Sequence, residues 1–431
     1  MPSARGWIVA DAGLSLLVLG RAFGTPPLGQ TGFALIVLVV LAVIVVRMRR
    51  HDLDVTRRIT PERATAGQVV HVTLGFANRG RGAAPMVLLQ DRLPAALPGS
   101  ARFALPGLEP GGSREASYTI RPPRRGRYEI GPTEMIFADP FGLARTRGEI
   151  AGTADLLVHP RIESLALPRD LGRQRSLGTS DLRHPTGATG DDFYALREYV
   201  EGDDLRKIHW PSTAKRGRYM IRQDETSWHT RATVLLDDRK AAYAGANGPA
   251  SFERAVEAAA SLVALYDRSG YTYRLAGAHA AGLGSGRGRA HFTACLDLLA
   301  TVGWQPPTGT GRMADPLLVR LAEIEARGKV EGTLVVASGG VTPDVAVAMA
   351  GLHRVFRQII LISFPPLDPA GASRPGGRDD HRWHEVARLL VRSGARPVVL
   401  SPGESLQDGW RSLSRARGQG GDAWARRHEL V

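Results

Sequence analysis

Cysteine is nearly absent: Cys295 is the single thiol in 431 residues. One thiol excludes an internal disulfide framework and is compatible with a reducing compartment. Blocks of like charge are also missing. The formal charge of +14 comes mostly from arginines scattered along the chain, without the runs of about five or six cations that mark a nucleic-acid-binding arm, so no nucleic-acid partner is expected. Catalytic signatures are scarce too. The glycine-rich Gly282–Gly288 (GLGSGRG) is not followed by Gly-Lys-Ser/Thr and reads as a flexible loop instead of a phosphate cradle. No G-x-S-x-G elbow occurs near a strand end. His381-Arg382-Trp383-His384-Glu385 is neither the zinc motif His-Glu-x-x-His nor its inverse. His291 and Cys295, four apart on one helical face, sit among apolar neighbours and read as core. With 43% hydrophobic and 23% charged residues, the chain has apolar mass for two folded domains and membrane segments besides.

Charge is absent from Ala22 to Val46, and Gly32 to Val46 is an unbroken apolar run closed by Arg47, Arg49 and Arg50. That run rises only about 22 Å, so a span must also draw on Pro27 to Thr31 or on thinned bilayer. A second apolar run, Trp7 to Leu19, is interrupted by Asp11 and ended by Arg21, with a turn expected over Gly24 to Thr31. The pair predicts a helical hairpin anchor over residues 1–50, with Asp11 in a wetted, structural position near a membrane end. A cleaved signal peptide would need a small-residue site after the apolar run, which Val45-Val46-Arg47-Met48-Arg49 does not offer. The basic cluster Arg47 to His51 places that end in the cytoplasm. The expected setting is therefore the cell membrane, with two transmembrane helices and a cytoplasmic soluble part.

Residues 51–168 read as a β-sandwich-like module. Short alternating runs such as Val69–Phe76, Met86–Gln90 and Tyr118–Ile120 are punctuated by Asn78-Arg79-Gly80, Pro110-Gly111-Gly112 and Pro122-Pro123. Asp139-Pro140 reads as a turn initiator with Phe137 and Phe141 packing beneath it. From residue 232 to 410 the pattern changes to strand then helix, repeatedly. Strands are expected at Thr233–Leu236, Tyr271–Ala276, Gly332–Ala337, Gln358–Ser363 and Arg396–Leu400. Helices are expected at Ser251–Ser269 (capped by Ser251), Ala290–Val302, Asp315–Ala326, Asp344–Phe356 and Arg382–Arg392. This alternation predicts a mainly parallel sheet covered on both faces. Ligands of such folds lie beyond the carboxyl ends of the strands at the switch point of strand order, which picks out Asp237, Asp238, Ser338 and Gly339. Arg411 to Val431 reads as a mobile basic tail that is solvated or touches anionic lipid.

Between these domains, residues 169–231 hold the densest chemistry. Asp192 to Trp210 follows D-F-x-x-L-R-x-Y-x-x-G-D-x-x-R-x-I-H-W, and Ala214-Lys215-Arg216-Gly217 comes next. This pattern resembles the signature of the bacterial family called domain of unknown function 58, and the resemblance extends over nearly the whole chain. It implies two short membrane helices, a β-rich module and a domain similar to the von Willebrand factor type A fold: a membrane-anchored α+β multidomain protein. It also implies a cytoplasmic AAA+ ATPase of MoxR type as partner, with a membrane transglutaminase-like protein in company, and no defined activity. On this reading Asp192, Phe193, Leu196, Arg197, Tyr199, Gly202, Asp203, Arg206, Ile208, His209, Trp210 and Lys215 form an interaction surface, and the protein is a noncatalytic adaptor in the assembly or maturation of a cell-envelope or protein complex.

Type A domains commonly hold Mg²⁺ through Asp-x-Ser-x-Ser after the first strand. Here Asp237 fills the first place, but Arg239 and Ala241 fill the serine places, so no metal or other cofactor is expected, and Asp237 is free to pair with Arg239 or with a partner's cation. The competing reading is a metal-dependent hydrolase built from Asp191, Asp192, Glu198, Asp203, Asp204, Lys207, His209 and Lys215. Against it stands a charged network in which Asp203 and Asp204 reach Arg206 or Lys207, Arg197 reaches Glu201 at helical spacing, and Trp210 buries the hinge between domains.

Overall fold

The computed structural model describes residues 1–48, 53–84, 86–99, 101–168, 194–200, 203, 205–224, 231–245, 247–279, 282–306, 315–326, 331–365, 378–401 and 403–415, with backbone alone at 48, 194–197, 207, 222–224, 331, 378–384 and 414–415. The chain divides into two compact units, Met1–Pro160 and Arg161–Val431.

The first unit opens with helices α1 (Ala4–Ala22) and α2 (Pro26–Met48). Ser3 caps α1 by accepting a hydrogen bond from Gly6 N at 3.1 Å. The turn between the helices is shorter than expected, because Pro26 and Pro27 already belong to α2, where the first turn tolerates missing N–H groups. Glycines let the two backbones touch. A Cβ on Gly32 would lie 2.4 Å from Gly13 O, and one on Gly20 would lie 2.5 Å from Gly29 N. Among the described residues, α2 is the one helix long and apolar enough to cross a membrane.

Ten strands follow: β1 (Leu53–Thr60), β2 (Arg63–Thr65), β3 (Val70–Asn78), β4 (Val87–Asp91), β5 (Ala101–Leu105), β6 (Ser113–Ile120), β7 (Gly126–Ile130), β8 (Thr133–Ala138), β9 (Arg145–Ala151) and β10 (Ala154–His159). They form three sheets, ordered β1-β3-β6, β2-β10-β7 and β5-β4-β8-β9. Alternation in the sequence becomes alternation in burial: Val70, Val72, Leu74 and Phe76 of β3 all point inward. One core gathers Ile59, Val72, Ile130 and Leu156. The other gathers Leu74, Phe76, Leu89 and Phe137 with Val39, Ala42 and Val46 of α2, so the last turns of that helix belong to the β-module's interior. The start of α1 is pinned as well, by Ser3 N to Leu143 O at 2.8 Å and Arg145 N to Met1 O at 3.0 Å.

A buried ion pair ties the first sheet to the third. Arg57 on β1 donates to Oδ1 of Asp91 on β4 at 2.5 Å and to Oγ1 of Thr133 on β8 at 2.8 Å. Tyr118 on β6 donates to Oδ2 of the same carboxylate. Burial, then the bond to Asp91, holds the Tyr118 hydroxyl far above its ordinary range. Asp139 initiates its turn as expected, accepting from Phe141 N at 2.9 Å and Ala144 N at 2.5 Å. Phe137 packs beneath it, but Phe141 stands 67% exposed, contrary to expectation.

The second unit contains the hairpin strands β11 (Tyr194–Glu198) and β12 (Met220–Asp224), with a 3₁₀ turn (Leu205–Lys207) and the short helix α3 (Trp210–Arg216) between them. Its main sheet comprises β13 (Arg231–Leu236), β14 (Thr272–Gly277), β15 (Leu283–Gly286), β16 (Glu331–Ser338), β17 (Phe356–Ser363) and β18 (Arg396–Val399). The order is β15-β14-β13-β16-β17-β18, parallel except for the edge strand β15. Helices α4 (Gly248–Arg268), α5 (Arg289–Thr301), α6 (Pro316–Ala326), α7 (Pro343–Gly351), α8 (Arg378–Arg392) and α9 (Leu406–Arg415) accompany it. Two apolar cores include Val234, Val263 and Ile362 in one, and Leu235, Val336 and Leu361 in the other. Successive residues of β13 thus enter different cores, as in a sheet covered on both faces.

Several expectations need correction. Ser251 lies inside α4, which begins at Gly248, and its hydroxyl reaches Pro365 O at 3.3 Å without capping. The stretch read as a flexible glycine loop contains β15, paired antiparallel with β14. Residues 411–415, read as tail, continue α9, where Leu406, Trp410 and Leu413 are buried; residues 416–431 lie outside the described ones. Residues 161–168 fall in the second unit, where Leu165 joins the core and Trp410 Nε1 donates to Ala166 O at 2.8 Å.

Candidate functional site

Two constellations carry the chemistry. The first is the signature, which folds as strand, 3₁₀ turn, short helix and strand. Ile208 bridges Ile221, and His209 N donates to Met220 O at 2.7 Å, bringing the middle of the motif back onto β12. Thr213 Oγ1 accepts from Met220 N at 3.0 Å, and His209 Nδ1 lies 2.9 Å from Ser212 Oγ, so His209 serves the start of α3. Gly217 ends α3 at φ 67°, a left-handed conformation that glycine adopts without Cβ strain, its N–H bonded to Thr213 O. Tyr199 packs edge-on against Tyr219. Glu198 accepts from Arg218 at 2.5 Å, and Asp203 Oδ2 accepts from Val200 N at 2.9 Å.

This geometry alters the reading of individual residues. Arg197 lies in the strand β11 and not at helical spacing. Trp210, expected to be buried, is 64% exposed, with Val200, Leu205 and Tyr219 also exposed on the same motif. Lys215 and Arg216 close α3 as exposed cations suited to its carboxyl end. Asp191, Asp192, Phe193, Glu201, Gly202 and Asp204 lie outside the described residues, and Leu196, Arg197 and Lys207 are placed by backbone alone.

The second constellation sits at the carboxyl ends of β13 and β16. The neighbours β14 and β16 flank β13 on opposite sides, so the order of connection reverses there. Asp237 and Asp238 follow β13, and both are fully buried. The Arg239 guanidinium straddles Asp237, Nε to Oδ1 at 2.8 Å and Nη2 to Oδ2 at 2.7 Å, while Nη1 reaches Asp315 Oδ2 at 2.6 Å. Ser338 Oγ donates to Asp237 Oδ2 at 2.6 Å, and Arg239 N reaches Oδ1 at 3.2 Å. Burial lowers the Arg239 pKa, but the bonds to Asp237 and the fields of Asp237 and Asp315 outweigh it and the net shift is upward. Tyr243 donates to Asp237 O at 2.7 Å; burial, then the two carboxylates, pushes its hydroxyl well up. Asp238 Oδ1 accepts from His279 N at 2.8 Å. Ala241 lies exposed in the 3₁₀ turn Lys240–Tyr243 and offers no ligand atom.

These residues do not fit a divalent cation on Asp237. Both carboxylate oxygens already accept bonds from a fixed guanidinium, and a hard cation would meet positive charge where it needs oxygen. Among the described residues there is no group of three His, Cys, Asp or Glu able to hold a metal. Sequence reasoning reached Asp237, Asp238, Arg239 and Ser338 but missed Asp315, Tyr243 and His279. Asp315 does show a local signal, an Asp-Pro pair at a helix start, and its Oδ1 accepts from Leu317 N at 2.9 Å. Its second role depends on a partner 76 positions away.

Residues 195–364 match the family described as "Protein of unknown function DUF58", which supports the resemblance seen in the motif. No curated protein matches the chain. Among solved structures, the CARDB domain of the PF1109 protein from Pyrococcus furiosus, crystallised with di-metal ions, is 16% identical at a TM-score of 0.19, over 25% of this chain and 88% of that one. Pseudomonas fluorescens alkylpurine DNA glycosylase AlkC, bound to DNA containing an abasic-site analogue, is 10% identical at 0.17, over 31% of this chain and 38% of that one. At such TM-scores these likenesses carry no argument.

Proposed function

We propose that the chain is a membrane-tethered, noncatalytic adaptor, held by two transmembrane helices with its soluble part in the cytoplasm, whose second unit docks an AAA+ ATPase of MoxR type. The observation that carries this reading is the occupied carboxylate of Asp237. At the place where a doubly wound sheet offers its ligand site, the chain supplies its own cation, which favours a finished structural element over a reactive one. The sheet order, with carboxylates at its switch point, supports a von Willebrand factor type A-like domain. The exposed Val200, Leu205, Trp210 and Tyr219, beside the cations of α3, supply an apolar and basic surface of the kind protein partners cover.

The test is capture of the full-length protein from native membranes in mild detergent, with and without ATP, alongside a Asp203→Ala, Arg206→Ala, Trp210→Ala triple variant. Nucleotide-dependent recovery of an AAA+ ATPase by the parent and its loss with the triple variant supports the adaptor reading. Equal recovery by both removes the role given to the signature. Titration calorimetry with Mg²⁺ or Mn²⁺ addresses the hydrolase alternative, which needs cation binding through the signature carboxylates.

A further inference from the structure

We propose that the apolar cavity between α2 and the turn joining β8 to β9 holds one acyl chain of a membrane lipid, so that the β-module rests on the bilayer surface and is not merely strung from it. This rests on the membrane-tethered reading above. The cavity has a volume of about 420 Å³, and Leu38, Leu41, Ala42 and Val45 of α2 face Met86 and Phe141 across it. Its size is that of a site for a small ligand. Its chemistry is hydrocarbon: the one ionisable group in the lining, Asp139, spends both carboxylate oxygens on the backbone of its own turn.

Two observations select a lipid chain as occupant. The first is continuity. Leu41 is 54% exposed and lies on the same helix as the exposed Phe33, Val37 and Val40, while Met86 and Phe141 across the cavity are 65% and 67% exposed. The lining therefore runs directly into the apolar surface that α2 would present to a bilayer.

The second observation is depth. Val39, Ala42 and Val46 are buried in the β-module's core and Leu38 packs against it, which leaves residues 26–37 of α2 ahead of these contacts. That stretch rises about 18 Å, against a hydrocarbon thickness of about 30 Å. The edge carrying Met86 and Phe141 must then lie at the boundary of the hydrocarbon for α2 to reach across. Cations stand at the same end of the hairpin: Arg47 closes α2, and Arg5 lies beside Gly142 of the same turn. Both suit a phosphate headgroup.

The experiment uses the full-length protein in vesicles of phosphatidylethanolamine and phosphatidylglycerol, doped with a phospholipid carrying a diazirine in mid-acyl chain. After flotation and irradiation, labelled peptides are identified by mass spectrometry. The expected result is label on the peptides holding Met86 and Phe137 to Phe141 as well as on the hairpin. Ala42→Trp, which fills the cavity, and Phe141→Asp, which sits at an exposed position and spares the core, should each lose the module label while Leu28 to Val37 stays labelled. Label confined to the hairpin, or module label unchanged in both variants, overturns the inference while leaving the tether intact. Failure to float with the vesicles overturns the tether and the inference together.

Discussion

Arg239 clasps Asp237 two residues before it, meeting both carboxylate oxygens at 2.8 and 2.7 Å where neither side chain has appreciable access to water. Paired bonds in that geometry satisfy a planar carboxylate and a planar guanidinium together. Removing one partner leaves the other charged and dry. Arg239→Ala should therefore lower unfolding stability by about 3–5 kcal/mol. Arg239→Lys should recover only part of the loss, because one ammonium cannot bridge both oxygens of Asp237 and also reach Asp315. Urea denaturation of the full chain in detergent measures both, and an unchanged midpoint for Arg239→Ala would contradict the structural role.

Trp210 behaves oppositely. Its ring is mostly exposed, so Trp210→Ala should shift stability by no more than about 0.5 kcal/mol. If the proposed adaptor role holds, the same change should reduce capture of the proposed ATPase partner. A large drop in melting temperature would instead mark Trp210 as a packing residue.

Gly32 is placed so that any side chain meets the Gly13 carbonyl. Gly32→Leu should force α1 away from α2, and hydrogen exchange across α1 should accelerate in the variant. Unaltered exchange would mean that the helices do not depend on this contact.

The Cys295 thiol is fully buried, 3.7 Å from His291 Nε2. Burial first, then the field of Asp267, pushes it up to about 12. Native protein should resist iodoacetamide at pH 8 and react after denaturation, because the thiolate is the nucleophile. Rapid native alkylation would refute the burial.

Glu257 carries a carboxyl raised above its ordinary value of 4.5, mainly by burial on α4. Its folded form binds a proton more tightly than its unfolded form, so its favourable contribution is complete below about pH 4.5 and is lost as the pH rises through the folded value. Glu257→Gln should then raise the melting temperature at neutral pH, with the gain shrinking as the pH falls towards 4.5. A gain independent of pH would point away from charge burial.

Local pattern made much of this architecture legible. Strands β13, β16 and β17 are apolar runs bounded by turn residues, and α4 and α6 between β13 and β16 carry the 3.6-residue period, so the α/β unit follows from short-range signals. The spacing of Leu406, Trp410 and Leu413 holds the same signal for α9. Strand β15 gives no such sign, because its sequence, Leu-Gly-Ser-Gly, has almost no side chains to alternate, and only the edge of β14 holds it extended.

By itself, then, the sequence determined the long apolar run of α2, the all-β module, the alternating α/β unit, the signature motif and an arginine two residues after Asp237, each of which is a matter of residue type at close spacing. Tertiary structure alone decided that Asp315 joins Arg239, that Arg57 meets Asp91 between sheets, that Trp210 faces solvent, and that α2 is shared between an apolar exterior and the core of the β-module. The reason is physical. Periodicity tells which face of an element is apolar, but what that face meets depends on contacts between residues tens of positions apart, formed only once the sheets and helices have packed.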